Sequence, residues 1–129
     1  MTIVVGYVPT PEGEAALIRA GEEARLRDEK LVVVSLTRGE SGAAAAYPQT
    51  SALSRMVADI KGEGVDVEVQ HKERAGDPAD AILAAADAAG ASLVVVGLKK
   101  RTAVGKLMLG STAQSVMLGA KCSVLGVRV

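Results

Sequence analysis

Five short runs of aliphatic residues punctuate this chain, and between them apolar positions recur every three or four residues. The runs "TIVVGYV" (2–8), "KLVVVSL" (30–36), "SLVVVGL" (92–98) and "CSVLGVRV" (122–129) are rich in β-branched side chains and read as strands buried on both faces. "VDVEVQHKE" instead alternates Val65, Val67 and Val69 with polar residues, the half-exposed pattern of an edge strand. Ala16, Leu17, Ala20, Ala24 and Leu26 form one helical stripe, and Leu53, Met56, Val57 and Ile60 form another, closed by Gly62 and Gly64. "GDPADAILAAADAAGA" predicts a helix with Asp77 as cap, Pro78 at its first position and Gly90 past its end. "STAQSVMLGAK" predicts a last helix, capped by Gly110 or Ser111. Thr10 and Pro11 open the first helix in the same cap-and-proline manner. The segment 37–48 has no clear period and reads as a loop.

Strands that alternate with amphipathic helices imply an α/β fold: a single-domain, doubly wound, five-stranded parallel sheet with helices on both faces, spanning 1–129. Right-handed crossovers leave few topologies, and the strand order 3-2-1-4-5 is the one favoured here.

Composition narrows the class of protein. The chain has 129 residues, 49% of them hydrophobic, with no Phe or Trp and two tyrosines, so its core is aliphatic. Fifteen Lys and Arg balance fifteen Asp and Glu, which gives no support for nucleic acid or an acidic membrane as partner. Cys122 is the single cysteine, excluding an intrachain disulfide. No run approaches the length of a membrane span, and "MTIVVGYV" lacks the basic leader of a signal peptide, so a cytoplasmic location is expected.

Candidate chemistry gathers where sheets of this type bind ligands, beyond the carboxyl ends of the strands. Segments 8–11, 37–48, 72–77 and 97–110 meet at that edge. The last of them crowds Lys99, Lys100, Arg101 and Lys106 between Gly97 and Gly110. The open N–H groups and hydroxyls of Ser111 and Thr112 follow at a helix start, where the dipole favours an anion. One reading is a phosphate cradle; the other is a helix cap and tight turn that bind nothing, with the cations on a solvated face. His71 stands without ligating neighbours in sequence and reads as structural or solvent-facing. Cys122 reads as a buried thiol, and Asp77 and Asp80 as cap and first-turn residues. No nucleophile elbow or Walker loop is present.

With these residues in view, the chain resembles the universal stress protein family over its whole length. The resemblance rests on Gly97, two residues, position 100, nine residues, Gly110 and Ser111, against the family's glycine, two residues, glycine, nine residues, glycine, then Ser or Thr. "TIVVGYVPTPEGEAAL", "GDPADAILAAADAAGASLVVVG" and "LGSTAQSVMLGAKCSVLGV" support it. It implies a regulatory protein that binds ATP or a related adenine nucleotide, with or without Mg2+. Adenosine would then lie at the first two strand ends, beside Val8, Pro9, Thr10, Val34 and Leu36. Phosphates would lie on Gly97, Lys99, Lys100, Arg101, Gly110, Ser111 and Thr112. Two positions depart from the family pattern. Lys100 replaces its second glycine, so that a Cβ blocks close approach or an ammonium meets phosphate directly. Val8, Pro9 and Thr10 replace an Asp-Gly-Ser-like turn, removing an acid that helps shape the pocket. Any ATP hydrolysis is expected to be slow, since no general base stands out. The edge position and apolar character of 122–128 imply a homodimer built on that strand, as the resemblance does. The alternative is a dimeric stress-response interaction module whose pocket no longer binds nucleotide.

Overall fold

The aliphatic runs form strands because β-branched side chains suit a pleated surface covered on both faces. The computed structural model describes residues 1–37, 43–73, 77–99 and 110–129. The element order is β1 (Thr2–Tyr7), α1 (Pro11–Arg27), β2 (Lys30–Thr37), α2 (Ala43–Gly62), β3 (Val67–Glu73), α3 (Pro78–Ala89), β4 (Ala91–Gly97), α4 (Ser111–Gly119) and β5 (Ser123–Val127). The strands make one sheet in the order β3-β2-β1-β4-β5, every pair parallel. This is the expected α/β architecture and strand order.

Register decides which core each side chain enters. Ile3, Val5 and Tyr7 of β1 join Leu31 and Val33 of β2 in a core closed by Leu17 and Ala20 of α1 and by Leu53, Val57 and Ile60 of α2. Val4, Val32, Val34, Val94 and Val96 point the other way, into a core closed by Ile82 of α3 and Val116 of α4. The sheet thus carries α1 and α2 on one face and α3 and α4 on the other. Winding reverses between β1 and β4, and the ends of those two strands become the ligand-binding crevice of such a fold.

Local chemistry sets the helix ends. Thr10 Oγ1 accepts from the Gly13 N–H at 3.1 Å, and Asp77 Oδ1 from the Ala79 N–H at 3.0 Å, each followed by proline at the first helical position. Gly90 ends α3 at φ 61° and ψ 47°. Among the described residues, no helix is long and apolar enough to cross a membrane.

Two expectations are corrected or refined. Segment 37–48 is not wholly a loop, because α2 begins at Ala43. Four consecutive alanines favour helix strongly, and Pro48, despite the lost N–H bond and the crowding of its ring against the preceding turn, is carried within the helix. Cys122 is half-buried rather than buried, just before β5, and packs against the α3/α4 core. Partial desolvation, and then the Asp87 carboxylate, push its thiol above the ordinary cysteine range. His71 is exposed on the edge strand β3, as expected.

Tyr7 is an oddity in an aliphatic core. It is 1% exposed, and its hydroxyl finds no hydrogen-bond partner among the described residues. Burial first, and then the charge of Glu14, push its pKa up. An unsatisfied buried hydroxyl costs about 1–3 kcal/mol, so Tyr7→Phe is expected to raise stability by about 1 kcal/mol. The pH dependence has a definite sign. Tyr7 and Cys122 both hold their protons more tightly when folded, so their contribution is intact below the ordinary values of about 8.5 and 10 and is lost as pH rises beyond them. Urea midpoints measured from neutral to strongly alkaline pH should be flat at first and then fall. Tyr7→Phe should flatten the upper part of that fall, and an unchanged slope would contradict the assignment.

Candidate functional site

Parallel strands followed by helices bring three helix N-termini, those of α1, α3 and α4, to the carboxyl edge of the sheet. They surround a cleft of about 510 Å3 at the β1/β4 switch point. Gly6, Ile82 and Val96 form its apolar floor, with Leu36 on the β2 side. Val8, Pro9, Thr10, Glu12 and Gly13 form the α1 wall, and Gly97, Lys99, Gly110, Ser111, Thr112 and Ala113 the opposite one.

The three helix starts are not equivalent. Thr10 caps α1 and Asp77 caps α3 through their own side chains, the second adding a negative charge. The cap position of α4 is Gly110, which makes no side-chain hydrogen bond. Among the described residues no side chain caps the first N–H groups of α4, and they face the cleft, where the helix dipole adds positive potential. Thr112 is half-buried there and Ser111 exposed, and both contribute hydroxyls. Gly110 holds φ 81° and ψ 150°, a conformation that side chains other than hydrogen rarely adopt. The alkyl stem of Lys99 crosses it, with Cγ and Cδ each 3.4 Å from where a Cβ on Gly110 would stand. Cε of this exposed lysine lies 3.6 Å from the same point, so the stem leads its ammonium past the start of α4.

Gly97 serves a different purpose from the one its place in the motif suggests. A Cβ there would overlap the Glu12 carbonyl oxygen and lie 2.7 Å from the carbonyl carbon. The glycine lets the first turn of α1 rest on the end of β4. Gly13, the next residue in the same turn, allows a similar approach, since its Cβ would overlap the Val8 carbonyl oxygen and lie 2.9 Å from Val8 Cγ2. These two contacts clamp the α1 wall to both strands of the crevice.

Of the residues singled out from sequence, Val8, Pro9, Thr10, Leu36, Gly97, Lys99, Gly110, Ser111 and Thr112 meet around this cleft. Val34 does not: it is fully buried in the α3/α4 core and does not line the cleft. Lys100, Arg101 and Lys106 lie outside the described residues. Gly6, Glu12, Gly13, Pro78, Ile82 and Val96 line the cleft without having been singled out. A glycine in mid-strand and one inside a helix were the available signals, because both weaken their elements unless something approaches closely. No cluster of acidic, histidine or cysteine side chains suited to a metal occurs among the described residues.

The sequence profile described as the universal stress protein family matches residues 1–128. A universal stress protein of Mycolicibacterium smegmatis is 36% identical over 126 residues, covering 98% of this chain and 96% of that protein. The solved structure of a universal stress protein from Archaeoglobus fulgidus superposes with a TM-score of 0.81 at 34% identity, over 98% of this chain and 97% of that one. A structure of the universal stress protein from the same organism in complex with dAMP superposes with a TM-score of 0.76 at 30% identity, over 98% and 96% of the two chains.

Proposed function

The chain belongs to the universal stress protein family, and from that premise we propose that it is a regulatory protein that binds an adenine nucleotide in the β1/β4 cleft. The observation that carries this reading is the start of α4. It lacks a side-chain cap, opens on the cleft, and is flanked by Ser111, Thr112 and Lys99. Such a start supplies N–H donors, hydroxyls and positive potential to a phosphoryl group. The apolar floor of Ile82 and Val96, with Leu36 beside it, suits a base or sugar face rather than a second charge. A relative of 30% identity holding dAMP supports the adenine class. ATP, with or without Mg2+, is the ligand we infer for the intact site, with Val8, Pro9 and Thr10 beside the adenosine. Titration calorimetry with AMP, ADP and ATP, with and without Mg2+, tests this. Saturable heat for at least one of them is expected, and folded protein that gives none at millimolar nucleotide overturns the reading.

The assembly we infer is a homodimer. β5 is an edge strand with partly exposed Val124, Leu125 and Val127. Beside it α4 exposes Leu118 at 81% and Met117 at 41%. Paired edges around a two-fold axis would cover this apolar strip and remove an open ladder. Val124→Lys and Val127→Lys are expected to give monomer or insoluble protein. Light scattering on the unmutated chain checks the premise: a mass near 13.1 kDa at tens of micromolar protein would exclude a stable dimer.

A further inference from the structure

Glu12 is the one acidic residue among the described residues that line the cleft. It is half-buried in the first turn of α1, and its Cβ lies 3.1 Å from where a Cβ on Gly97 would stand. Its place on the helix aims it. Bonds from Cα to Cβ tilt toward a helix N-terminus, so a first-turn side chain leans back toward the strand ends, where the cleft opens. The Thr10 cap and the Gly13–Val8 and Gly97–Glu12 approaches hold that turn in place.

The two walls of the cleft therefore differ in character. The α4 wall offers donors: N–H groups, two hydroxyls and the Lys99 ammonium. The α1 wall offers an anionic acceptor in Glu12. A carboxylate disfavours a phosphate beside it, but accepts well from hydroxyl groups, with two oxygens for two donors. A ligand matched to both walls has an anionic end and a donor-bearing end. In a nucleotide the donor end is the vicinal ribose diol, which carboxylates bind in other nucleotide folds.

We propose that Glu12, in the first turn of α1, is the residue by which this cleft reads ribose hydroxyls. The proposal rests on the nucleotide reading above. It makes Glu12 a specificity residue with no role in holding phosphate.

The test compares AMP with 2′,3′-dideoxyadenosine monophosphate on the full chain by titration calorimetry, in EDTA and again with Mg2+. The unmutated protein is expected to prefer AMP by about tenfold, the scale of a charge-assisted hydrogen bond. Glu12→Ala should bring the two ligands within about twofold by weakening AMP alone. Glu12→Gln, which keeps one acceptor oxygen, should retain part of the preference. Circular dichroism matching the unmutated protein confirms that the variants fold. Equal preference in Glu12→Ala and the unmutated chain overturns the proposal while leaving nucleotide binding intact. So does a loss of affinity shared by both ligands, and so does an effect seen only with Mg2+, which would make the carboxylate a cation ligand. Absence of binding by the unmutated chain overturns the underlying reading as well.

Discussion

Gly97→Ala and Gly13→Ala are each expected to lower stability by about 3 kcal/mol, or roughly 10 °C in Tm for a chain of this size. In both positions the added methyl meets backbone, not the movable end of a side chain. At Gly97 it would run into the Glu12 carbonyl group, and at Gly13 into that of Val8. Relief requires α1 to move away from the sheet, which also disturbs Leu17, Ala16 and Ala20, all fully buried beneath it. Gly13 lies within α1, where Ala is intrinsically the better helix former by about 1 kcal/mol, so a net loss there isolates the steric cost. Gly62, at the end of α2, has nothing within 4 Å of its notional Cβ. Gly62→Ala is therefore the control, expected to be neutral or to gain up to about 1 kcal/mol. Thermal unfolding of the three variants decides the matter. If Gly97→Ala melts with the unmutated chain, the seating of α1 on β4 is looser than described. The same variant should also weaken nucleotide binding, since Glu12 and Gly97 are adjoining parts of the cleft wall.

A second large effect is expected at Ile82, which is 1% exposed and lies over mid-strand Gly6. Ile82→Ala should cost about 2–5 kcal/mol through lost burial and the void left between α3 and β1. The pair allows a sharper test. A Cβ on Gly6 would stand 2.5 Å from Ile82 Cδ1 and 3.1 Å from Cγ1, so Gly6→Ala alone should also destabilise. Ile82→Ala removes both of those atoms and leaves room for the Gly6 methyl. The double variant should thus be more stable than the sum of the single losses by about 1 kcal/mol or more. Urea denaturation around this double-mutant cycle gives the coupling directly. Additive losses would mean that Ile82 does not fill the space Gly6 leaves. Because both residues belong to the cleft floor, the coupling also reports how firmly that floor is built.

Other glycines show how one residue type carries different physics. Gly110 is required by its own backbone angle, with ordinary space around it. Gly126, in β5, has Leu98 Cδ1 and Cδ2 each 3.1 Å from its notional Cβ, so it accommodates Leu98 of the same chain. Gly97 is required by a neighbouring helix. Only the first of these demands is local, and a motif written as spaced glycines does not separate them.

Much of the architecture was legible in the sequence because it depends on neighbours along the chain. Continuous aliphatic runs marked strands covered on both faces, and alternation marked β3 as an edge. Thr10 with Pro11, Asp77 with Pro78, and Gly90 announced helix ends through torsion angles and side-chain reach, which span only a few residues. The start of α2 was misread because 37–48 shows no apolar period, while four consecutive alanines favour helix by propensity alone, without a stripe. Gathering of Val8, Thr10, Gly97, Gly110, Ser111 and Thr112 at one crevice followed from strand order and winding, since every β-to-α junction falls on the same sheet edge. The tertiary structure alone decided what depends on distances between elements. It buried Val34 in the core away from the cleft while leaving Leu36 on its wall, two residues on along the same strand. It brought Glu12 into the site and set Gly97 against it, and it placed Ile82 over Gly6. Periodicity fixes which face a side chain takes, but not how deep it lies or which backbone passes within 3 Å, because those follow from how whole helices seat on the sheet.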